Sequence, residues 1–195
     1  ASWDGLWGDG IPEPSDLPEG VYVNVEERGT TLIVGFVGVS GTPKDSVLVA
    51  EVEADQRYSD QCRGAYLART WTHDPIGWEG LLMGVLLELT GEAGLAPDRD
   101  TITDSEFELW VQMEDWSDVR TLPLDSVHMS HQTRTADDGT DDCSHQNLDG
   151  DAGWAQAYDL NDSEAWKESP SAQVYIRSGT PLLDELEAME RLRYH

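Results

Sequence analysis

The sequence predicts an all-β fold, a jelly roll or β-sandwich of about eight strands with an N-terminal extended arm and a C-terminal helix. Three observations carry that expectation. Residues 21–39, VYVNVEERGTTLIVGFVGV, read as two strands joined by a tight turn. Further apolar runs of strand length follow, separated by glycine, proline and acidic turn signals. Only residues 180–195 switch to a helical period. A chain of 195 residues has room for one full core. The expected division is an arm over 1–20, a β-domain over 21–179 with a long acidic loop at 125–153, and a terminal amphipathic helix over 180–195.

In the arm, Pro12, Pro14 and Pro18 forbid a helix or central strand, and Trp3 and Trp7 are aromatic anchors for the protein's own body or a neighbour. Val21, Val23 and Val25 then alternate with polar residues, the period of a half-buried strand. Gly29 serves the turn, and residues 32–39 are apolar on both faces, as a strand covered on both sides would be. A third strand is expected around Val47–Val52 and a fourth over 65–72. For residues 81–89, the glycines at 80, 84 and 91 favour strand over helix. Residues 106–114 alternate most cleanly, with Phe107, Leu109, Val111 and Met113 on one face and Trp110 among acids on the other. Short strands are expected at 119–124, around 154–160 and at 172–176. At the C-terminus Thr180 suits an N-cap, Pro181 the first turn, and Leu182, Leu183, Leu186, Met189 and Leu192 form one stripe.

Charge is the strongest compositional signal. Thirty-nine acidic residues face twelve basic ones, for a net charge of −27, and the only lysines are Lys44 and Lys167. We read this as adaptation to molar salt, where a Debye length of ~3 Å at 1 M removes most self-repulsion. With no basic patch or stripe, direct binding to nucleic-acid phosphate is not expected. No apolar run reaches the ~20 residues of a membrane helix. The first ten residues have neither the basic nor the apolar region of a secretory signal.

No catalytic signature is present: Ser40 lies in GVSGT, not a nucleophile elbow, and no phosphate-cradling glycine motif occurs. The expectation is a non-enzyme without a cofactor. In the acidic loop, His128 and His131 are spaced HxxH and Cys143 and His145 CxH, residue types that zinc accepts at a spacing no common zinc module uses. Zinc is therefore not expected. Asp149 and Asp151 are the better candidates, for a sodium or calcium ion; an EF-hand is excluded because Ala152 and Tyr158 stand where it requires glycine and glutamate. Cys62 and Cys143 allow one disulfide or two separate thiols. Trp110, Leu186 and Met189 join Trp3 and Trp7 as interface candidates, Trp110 because an aromatic on a polar face suits a neighbouring subunit or a carbohydrate.

Eight strands, an N-terminal arm and an acid-rich, lysine-poor surface together resemble the single jelly-roll major capsid proteins of membrane-containing icosahedral viruses of haloarchaea. The resemblance is one of architecture and composition over residues 21–178. It implies a structural protein of the virion, barrels packed side by side over an internal membrane, with copies of itself or a related capsid subunit as partners. It also implies an arm that clamps a neighbour and a cysteine bridge between subunits. The alternative expectation is a secreted or cell-surface binding module of a halophile, such as a carbohydrate-binding β-sandwich. Independent of either, the charge predicts that the protein unfolds as salt is lowered below about 1 M. Circular dichroism during stepwise dialysis checks this, and a fold unchanged in dilute buffer would refute the halophilic reading.

Overall fold

The computed structural model describes residues 11–38, 50–72, 78–98, 101–102, 104–126, 140–143 and 170–195. The arm tryptophans Trp3 and Trp7, most of the acidic loop and the strand expected at 154–160 lie outside the described residues. The fold is strand-rich, with short helices. The hairpin forms where its alternation places it: β1 is Val21–Arg28 and β2 is Thr31–Gly38. Gly29 turns between them at φ +63°. After β3 (Ala50–Asp55) and β4 (Tyr66–Thr72) the chain enters helix α1, Glu79–Thr90. Strand β5 (Leu95–Pro97), helix α2 (Asp104–Glu114) and β6 (Val119–Pro123) follow. Two-residue strands β7 (Asp125–Ser126) and β8 (Asp142–Cys143) pair as a separate ribbon. The chain ends in β9 (Gln173–Arg177), α3 (Pro181–Ala188) and β10 (Leu192–Tyr194).

Eight strands make one sheet in the order β10-β1-β2-β3-β4-β5-β9-β6. Its antiparallel run is interrupted twice: β4 and β5 are parallel, joined through α1, and β10 adds parallel to β1. A parallel pair needs such a crossover, because its strands start at the same end of the sheet.

Three sequence expectations are corrected. Residues 81–89 are helical, not a strand. All of α1 except Glu79 and Leu89 is buried, so this helix is apolar all round and its stability comes from packing on every side. Its glycines serve contact: a Cβ at Gly84 would stand 2.6 Å from Leu182 Cδ1 and 3.2 Å from the Trp116 ring, and one at Gly80 2.9 Å from Ile11. Residues 106–114 are also helical. Glu106, Leu109, Trp110 and Met113 are buried, an i, i+3, i+4, i+7 stripe that the polar Glu106 hid in the sequence. Trp110 is therefore core, its indole N–H donating to Glu106 Oε1 at 3.4 Å and its ring tilted against Tyr175 at 4.8 Å. Finally, helix α3 stops at Ala188 instead of running to residue 195. Glu190 takes φ +57°, and Leu192 then pairs with Val23 in the sheet.

Alternating residues of the middle strands enter two cores. Leu95 and Tyr175 join the main core around α1, while Leu67, Ala96, Val174 and Ile176 enter a second cluster on the other face. That second cluster contains Cys62 and Cys143, bonded as a disulfide across 81 positions of sequence. On the chain-entropy account, closing a loop of that length is worth ~4.5 kcal/mol. Arg63 fastens the same cap, its Nε donating to the Pro123 carbonyl at 2.7 Å and its guanidinium 3.7 Å from Asp141. Strand β2 is covered less fully than its composition implies: Leu32 and Val34 are buried, but Ile33 and Val37 are only half-buried.

Trp110→Ala should cost ~3–5 kcal/mol, the range for truncating an enclosed aromatic. Denaturant unfolding at constant molar salt measures it; a loss under ~0.5 kcal/mol, as for a surface substitution, would contradict its place in the core.

Candidate ligand cleft

Four chain segments converge on an open cleft of about 410 Å³. Ile11, Pro12 and Glu13 come from the N-terminal segment, Gln112 from the last turn of α2, and Asp115 and Trp116 from the turn after it. Arg177 reaches it from the end of β9 and Leu182 from the first turn of α3. The turn is tight: the Trp116 amide donates to the Met113 carbonyl at 3.2 Å, and the Val119 amide to the Trp116 carbonyl at 3.1 Å. This geometry holds the indole against α1, where Gly84 gives it room.

Arg177 lies over that indole, its guanidinium carbon 4.5 Å from the ring centroid. Such stacking favours a planar cation over the electron-rich face. The guanidinium is also neutralised twice, donating through Nε to Asp118 at 2.8 Å and lying with Nη1 3.1 Å from Glu88. Its side chain is only 12% exposed, so those pairs do most of the work of keeping the charge inside the protein.

Glu88 is the deepest polar group here, its side chain wholly removed from solvent. Its two oxygens accept the backbone N–H groups of Leu182 and Leu183, each at 2.9 Å. Those N–H groups belong to the first turn of α3, where no intrahelical acceptor exists. Glu88 thus caps a helix 94 positions away in sequence. Thr180, the expected cap, instead donates its hydroxyl to Asp184 at 3.1 Å. Burial raises the pKa of Glu88 above the ordinary carboxylate value, against the lowering effect of the two amides and Arg177; Asp184 nearby adds to the rise.

The structure does not gather the sequence candidates into this cleft. Trp110 and Leu186 face inward and are fully enclosed, and Met189 is half-buried after the last turn of α3. Cys143 is bonded to Cys62, so it has no thiolate to offer zinc. His128, His131, His145, Asp149 and Asp151 lie outside the described residues. Among the described residues, no group of three or more His, Cys, Asp or Glu side chains is placed to hold a metal. Two signals could have pointed to the cleft. Glu88 is the lone acid inside an apolar run, and Arg177 is a rare cation ending an apolar strand; each needs a buried partner. No family model, curated protein or solved structure matches this chain.

The Glu88 shift gives a signed expectation. Because its pKa is raised on folding, the folded state holds the proton more tightly than the unfolded one. Its contribution to stability is full below the unfolded value near 4.5 and is lost as pH rises through the higher folded value. Glu88→Gln should remove that component. Subtracting the variant's unfolding free energy from that of the wild type, between about pH 4 and pH 7 at fixed salt, should leave a difference that falls with rising pH. A flat difference, or one that rises, would contradict the assignment.

Proposed function

We propose that the protein is a binding module of a halophile, working outside the cytoplasm and taking a small polar ligand in the cleft floored by Trp116 and Arg177. The observation that carries this reading is the convergence of an aromatic ring, a fixed guanidinium, an amide and two carboxylates on one concavity of ligand size. Mixed donors and acceptors beside apolar surface suit recognition of a polar molecule without chemistry on it. The disulfide supports the compartment, since such bonds persist where the surroundings are oxidising. The acidic surface supports the solvent.

A second reading, the capsid subunit, is favoured by the sheet edges. Among the described residues, strands β10 and β6 end the eight-stranded sheet, each paired on one side within it, and Tyr194 on β10 is 59% exposed. An open edge is a template for another chain. In that reading the arm with Trp3 and Trp7 reaches a neighbouring copy, and the body packs beside others as a jelly-roll capsomer does.

The two separate in solution. Light scattering after size exclusion in molar salt should give a monomer, with saturable ligand binding by calorimetry that Asp115→Ala weakens about tenfold. Large salt-dependent assemblies that bind no small ligand would instead support the capsid reading and overturn the binding module.

A further inference from the structure

Resting on the binding reading above, we infer that the cleft takes an uncharged, polyhydroxylated ligand of the carbohydrate class and discriminates against anions and organic cations. The argument starts from Arg177. An arginine in a cleft ordinarily selects a carboxylate or phosphate through its bidentate fork. Here the charge is already balanced by Asp118 on one side and the enclosed Glu88 on the other. Any anion entering would also meet the Glu13 and Asp115 carboxylates on the rim. With Nε given to Asp118 and Nη1 enclosed beside Glu88, Nη2 is the guanidinium nitrogen left to donate, without the positive field of a free arginine.

Organic cations are disfavoured for a different reason. The Trp116 ring is the aromatic surface that would hold one, and Arg177 already lies 4.5 Å over it. A second cation on that ring would be placed beside the first. The remaining cation attraction, from Glu13 and Asp115, is exposed to solvent and screened within ~3 Å at 1 M salt.

A ring bearing neighbouring hydroxyls meets neither obstacle. Each hydroxyl both donates and accepts, so a pair of them can receive N–H bonds from Arg177 Nη2 and the Gln112 amide and donate to the Asp115 carboxylate. The C–H face of such a ring suits the apolar wall of Ile11, Pro12 and Leu182, beside the indole that Arg177 already covers. Recognition by short-range hydrogen bonds and apolar contact also keeps its strength in concentrated salt, where ion-pair recognition fades.

The test uses the whole protein at about 2 M and about 4 M salt, both well inside the screened regime. Calorimetry and a glycan array compare three probe sets: neutral oligosaccharides, uronate- or sulfate-bearing oligosaccharides, and choline with alkylamines. The expected result is saturable binding of a neutral member, with affinity at least tenfold above its acidic counterpart and nearly equal at the two salt concentrations. Asp115→Asn should weaken it about tenfold, as should Arg177→Lys, which keeps the charge but loses the planar fork. Asp115 is exposed, so its variant tests the inference even if Arg177→Lys disturbs the fold. Tighter binding of an acidic sugar or of choline, abolished by the same variants, would overturn the ligand class while leaving the binding module standing. Binding of none of the three sets would remove both.

Discussion

Enclosure of α1 is the constraint on which the rest of this structure depends. The helix carries the chain from β4 to the parallel β5, so the sheet acquires its order only if α1 lies across its face. Val21, Val23, Val34 and Val52 from the sheet and Leu183 and Leu186 from α3 share one core with it. An apolar helix offered only one covering layer would leave much of its surface in water, at ~25 cal/mol per Å². The outer helices α2 and α3 and the segment at Ile11 supply the remaining cover, and Gly80 and Gly84 let them approach.

The same enclosure explains the polar junction beneath the cleft. Glu88 sits near the end of α1, where the chain needs an acceptor for the first turn of α3 and a partner for Arg177. A buried carboxylate without those partners would be far too costly; with them it joins three elements, α1, β9 and α3. Cleft and core are therefore not independent. Arg177 and Leu182, which line the cleft, are both held by Glu88. The C-terminal segment completes the fastening, as Arg191, just before β10, donates to the carbonyls of Pro18 and Val21 and stands with Arg193 around the Tyr22 ring.

The opposite face of the sheet is secured by covalent means. Its cluster is small, and the disulfide with Arg63 ties the turn before β4 to the β7/β8 ribbon. Cys62 and Arg63 both take positive φ there, a conformation costing non-glycine residues ~1–2 kcal/mol each. The bonds gathered at that corner offset the strain: the Arg63 amide donates to the Thr140 carbonyl, and its side chain reaches Pro123 and Asp141. Against the self-repulsion of a chain of net charge −27, such local fastening holds the corner together.

By itself the sequence determined the net charge and the elements whose pattern is local. The β1/β2 hairpin was legible because its valines alternate and Gly29 supplies the turn. The start of α3 was legible because Pro181 and the leucines after it follow a helical stripe. Period failed where burial was not one-sided or where a polar residue sat in the apolar stripe. In α1 every side is covered, so no face is marked; in α2 the enclosed Glu106 disguised the stripe and left Trp110 looking exposed. The cleft was illegible for a related reason. Its parts come from positions 11–13, 112–116, 177 and 182, and none has a spacing that signals the others. Only the tertiary structure decided that Glu88 caps α3, that Arg177 stacks on Trp116 and that Cys62 meets Cys143. Each of these is a pairing between distant groups, fixed by packing rather than by any local preference of the chain.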